Sequence, residues 1–81
     1  MIKILDIKPV GDFLLDIRFS SGDCAHFDGL NYLSSRSGSL LEPLRQPDFF
    51  ARCFVDAGAL CWPNGLELSA DRVFSLSQIL A

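Results

Sequence analysis

The stretch Phe13-Leu14-Leu15-Asp16-Ile17-Arg18-Phe19 constrains the fold most. Phe13, Leu15, Ile17 and Phe19 alternate with Leu14, Asp16 and Arg18, and a period of two makes a strand with one buried face. Such a strand needs partners along its edges and a layer over its apolar side. The flanks supply the partners. Before it, Ile2 to Lys8 is rich in β-branched residues and ends in Pro9-Val10-Gly11-Asp12, a cluster suited to a hairpin connection. After it, Ser20-Ser21-Gly22-Asp23 is a second tight turn, with Gly22 the natural residue for positive φ, and Cys24 to Phe27 reads as a third strand. The first thirty residues therefore predict a three-stranded antiparallel meander.

From Asp28 the alternation stops, and Gly29, Gly38, Pro43 and Pro47 break the chain into short helical turns and loops. Asp28 is placed to cap a brief helix through Leu33, and Pro47 suits the first position of a second one carrying Asp48, Phe49, Phe50 and Ala51. Strand-like content returns in Cys53-Phe54-Val55, Ala59 to Trp62 and Leu66-Glu67-Leu68. Ser69 then caps a closing helix with Asp71 in its first turn and Val73, Leu76 and Leu80 on one stripe. The expected fold is α+β: one domain over residues 1–81, with a small antiparallel sheet, two or three further short strands, and short helices including a C-terminal one.

Charge and chemistry narrow the function classes. The net charge is −3, and the seven basic residues stand singly, so no phosphate-tracking patch is present and nucleic acid is not an expected partner. No segment approaches the roughly 18 apolar residues of a membrane span. The N-terminus carries Lys3, Asp6 and Lys8, which interrupt any signal-peptide core, and the three cysteines form no CxxC pair. These features point to a cytoplasmic protein with free thiols. Cys24, His26, Cys53 and Cys61 lack zinc-site spacing, so no metal or cofactor is expected.

His26 is the only imidazole, no Gly-x-Ser-x-Gly elbow occurs, and the glycines are scattered at turns, so no enzyme is expected. The one enzymatic version that can be named uses His26 with Asp28 or Asp23. Paired carboxylates such as Asp6 with Asp16, or Glu67 with Asp71, read more simply as solvated faces and caps. In Trp62-Pro63-Asn64-Gly65 each of the last three residues meets a backbone demand of a turn. Trp62 either packs on the sheet, the favoured reading, or lies exposed as an interaction anchor. Trp62 and Glu67 are retained as candidate partner contacts.

Leu15, Phe19 and Gly22, then Leu44 and Phe50, then Trp62, Pro63, Asn64, Gly65, Leu68 and Ser69 together resemble a small bacterial family filed as domain of unknown function twenty-four forty-two. The resemblance spans nearly the whole chain, and departs from the family at Glu67, where an aspartate is usual. It implies an α+β fold and no established reaction. It also implies two contexts: the front half of a regulator bearing a helix-turn-helix module, or a free-standing protein beside a second small protein, like a toxin and antitoxin pair. With no such module before Ala81, the free-standing context is expected. An apolar fraction of 49% in so short a chain leaves hydrophobic surface outside a monomeric core. The expected function is thus a protein-interaction or regulatory module, antitoxin-like, forming a homo-oligomer or binding a small protein. The alternative is a small-molecule sensor with a pocket lined by Trp62, Phe13, Phe27 and Tyr32.

Overall fold

The structure, a computed structural model, describes residues 1–80. Its framework is the expected meander of β1 (Ile4–Gly11), β2 (Leu14–Phe19) and β3 (Cys24–Asp28), each antiparallel to the next. The alternation in β2 works as its residue types require: Leu15, Ile17 and Phe19 are buried, while Leu14 and Arg18 are exposed. The β2–β3 connection is Ser20-Ser21-Gly22-Asp23, with Gly22 at φ +93° and its N–H donating to Phe19 O at 3.0 Å.

The first hairpin turns later than the sequence suggests. Pro9-Val10-Gly11 does not end β1, which runs to Gly11 through a register shift between Pro9 and Gly11. β1 is an edge strand, where a proline removes no interior ladder bond. The turn falls instead on Asp12-Phe13, so Phe13 belongs to the loop and not to β2. Its φ of 63° is a left-handed conformation unusual for a bulky residue. Two contacts hold it there: its carbonyl accepts from Gly29 N at 2.7 Å, and its ring meets Phe50 edge-on at 5.4 Å between centroids.

The middle of the chain forms α1 (Gly29–Ser34), a 3₁₀ turn at Pro43–Arg45 and α2 (Pro47–Phe50). Asp28 caps α1 by accepting from Asn31 N at 3.2 Å, and Pro47 starts α2. Arg45 ties the intervening loop down, donating to Leu33 O at 3.2 Å and to Arg36 O at 2.7 Å. A second antiparallel sheet follows, built of β4 (Phe54–Asp56), β5 (Ala59–Cys61) and β6 (Glu67–Leu68) in that order. Its first turn places Ala57 and Gly58 at φ 52° and 79°, the two-residue form that matches strand twist. Its second is Trp62-Pro63-Asn64-Gly65, closed by Gly65 N to Trp62 O at 3.1 Å with Gly65 at φ 94°. Asn64 serves it twice. Its Oδ1 accepts from Leu66 N at 3.3 Å, and its amide donates to Leu40 O at 2.9 Å, pinning the distant loop.

Ser69 caps α3 (Ala70–Leu76) through Arg72 N. The expected stripe to Leu80 is cut short. Ser77 is extended at ψ 159°, its hydroxyl donates to Val73 O at 2.6 Å, and the chain continues as β7 (Gln78–Leu80). β7 pairs antiparallel with β3 and completes a four-stranded sheet ordered β1-β2-β3-β7. The otherwise open edge of β3 gives these residues backbone partners that a frayed last helical turn would lack.

One cluster of buried side chains, drawn from Ile4 to Val73, lies between the inner faces of both sheets and the helices. Trp62 is 1% exposed at its centre, with its indole Nε1 donating to Phe50 O at 2.9 Å and its ring 5.5 Å from that of Phe50. Gly29 makes room: a Cβ there would overlap the Phe50 ring and stand 2.9 Å from Phe13 O. Urea unfolding therefore checks two expectations. Gly29→Ala loses about 1–3 kcal/mol by overpacking. Trp62→Phe loses roughly 2–4 kcal/mol, because it opens a void and removes the shorter of the two hydrogen bonds that the Phe50 carbonyl accepts.

Candidate functional site

The inner face of the four-stranded sheet is spent on the core, so its chemistry lies on the outer face. Cross-strand register decides which groups meet there. Asp6 stands opposite Arg18, and Arg18 opposite Cys24; one step along, Lys8 faces Asp16, Asp16 faces His26, and His26 faces Gln78. Arg18 donates to Asp6 Oδ2 from Nη2 at 2.6 Å and from Nε at 3.1 Å. That pairing raises the guanidinium above its usual range, first by hydrogen bonding and then by charge attraction. In the second row His26 Nδ1 is paired with Asp16 Oδ1, an oxygen that is itself buried. The contact joins β2 and β3 where Asp16 stands opposite His26.

A cavity of about 400 Å³ opens where this row meets the helices, lined by Leu14, His26, Asp28, Asn31, Leu76 and Gln78. They come from four local causes: Leu14, His26 and Gln78 from outward strand positions, Asp28 from its capping role, Asn31 from the first turn of α1, and Leu76 from the end of α3. Asp28 commits Oδ1 to the α1 cap, which leaves its second oxygen outside that bond.

The structure treats the candidates from sequence unevenly. Trp62 is buried and offers a partner no surface, so its contact role is corrected in favour of packing. Glu67 is exposed at the edge of the second sheet, with Oε2 3.9 Å from Cys61 Sγ. The proposed aromatic pocket is core instead: Trp62, Phe27 and Tyr32 are buried, Phe27 packs on Tyr32, and Phe13 packs on Phe50. His26 takes neither Asp28 nor Asp23 as its ring partner but Asp16. The register that sets them opposite each other is fixed by Phe19 N donating to Asp23 O at 3.0 Å, one residue inside the turn read from the sequence. Asn31, Leu76 and Gln78 had no signal, since long-range docking brings them to the cavity.

Of the four soft metal candidates, Cys24 and His26 lie two apart on β3 while Cys53 and Cys61 lie on the other side of the chain's middle segment. Among the described residues no three of His, Cys, Asp or Glu gather closely enough to hold a metal ion. Comparison with family models, with curated proteins and with solved structures gave no match. No helix among the described residues is long and apolar enough to cross a membrane.

The thiols differ sharply. Cys24 is exposed, whereas burial pushes Cys53 up to about 11 from an ordinary 9.0, and burial together with the charges of Glu67 and Asp56 raises Cys61. At neutral pH a thiol reagent is therefore expected to label the native protein rapidly at one site, lost in Cys24→Ser, and to reach the other two thiols only on unfolding. A raised thiol pKa stabilises the fold below pH 9.0, and that stability is lost as pH climbs toward about 11. The urea midpoint should fall across this window, and Cys53→Ala should flatten the fall.

Proposed function

We propose that this protein is an interaction module, antitoxin-like in being the acidic member of a complex with a basic protein in the cytoplasm. The observation that carries the reading is the outward apolar set. Leu5, Val10, Leu14, Leu30, Leu40 and Phe54 are exposed, from 40% at Leu14 to 56% at Leu30, although the core beneath them is complete. Covering these side chains on association would be favourable, by roughly 25 cal/mol for each Å² of apolar surface removed from water. A net charge of −3 favours a partner of opposite sign, because complementary charge speeds encounter and penalises wrong pairs. The resemblance of the Trp62-Pro63-Asn64-Gly65 corner to small free-standing bacterial proteins supports the same reading. Self-association is the homo-oligomeric version of it.

Purification of the tagged protein from its native host, followed by sedimentation, tests the proposal. A stoichiometric basic protein, or a mass above one chain, is expected; a lone monomer overturns it. The double variant Leu30→Ser, Phe54→Ser should weaken the complex while changing the unfolding free energy by no more than about 0.5 kcal/mol per site, as exposed positions do.

A further inference from the structure

We draw no further inference here: the strongest candidate, the cavity of about 400 Å³ between the outer face of the four-stranded sheet, α1 and the end of α3, belongs to the site already described, and nothing in the structure shows what fills it.

Discussion

The fold depends on one buried hydrogen bond and the rings around it. Trp62 donates its indole proton to the carbonyl of Phe50 at 2.9 Å, joining the corner of the second sheet to the end of a four-residue helix. A helix that short does not persist in isolation. The Phe50 carbonyl accepts from Cys53 N at 3.3 Å, and the indole adds a shorter second bond inside the core. The Phe50 ring, thus fixed, reaches Phe13 in the first hairpin loop and claims the space above Gly29. Three segments distant in sequence meet on that ring, so the meander, the helical middle and the second sheet are positioned by one contact set.

The outer face of the large sheet follows from the same division. Once Leu15, Ile17, Phe19, Ala25 and Phe27 are committed inward, strand geometry sends Asp16, Arg18, Cys24 and His26 outward in register. Across strands Asp6 then meets Arg18 as a pair of opposite charges, and Asp16 meets His26 in the next row. The arrangement is a sheet-stabilising device first. Where α1 and the end of α3 rise beside it, the flat face becomes a cavity.

Most of what was legible in the sequence is local. Asp28 and Ser69 as caps, Pro47 at a helix start, Gly22 and Gly65 at positive φ, and the strand β2 each express a demand met within a few residues. What was hidden depends on contacts made across the fold. Phe13 completes the alternation of β2, yet Phe50 and Gly29 hold it in a turn. The stripe through Leu76 suggested a helix to Leu80, yet the open edge of β3 takes the last residues into the sheet. The site divides the same way. His26 was visible as the only imidazole, but its partner was read as Asp28 or Asp23 and is Asp16, and Gln78 arrives through a strand that no local pattern announced.

The irregular edge of β1 bears on how such a chain survives at high concentration. It breaks register twice, between Ile4 and Asp6 and between Pro9 and Gly11, and it carries Lys8 and Pro9 at its middle. A regular free edge with this many apolar neighbours would template further strands and seed fibrils. An interrupted one cannot be copied strand by strand. The protein thus keeps apolar side chains on its surface while this edge of its backbone resists being extended strand by strand.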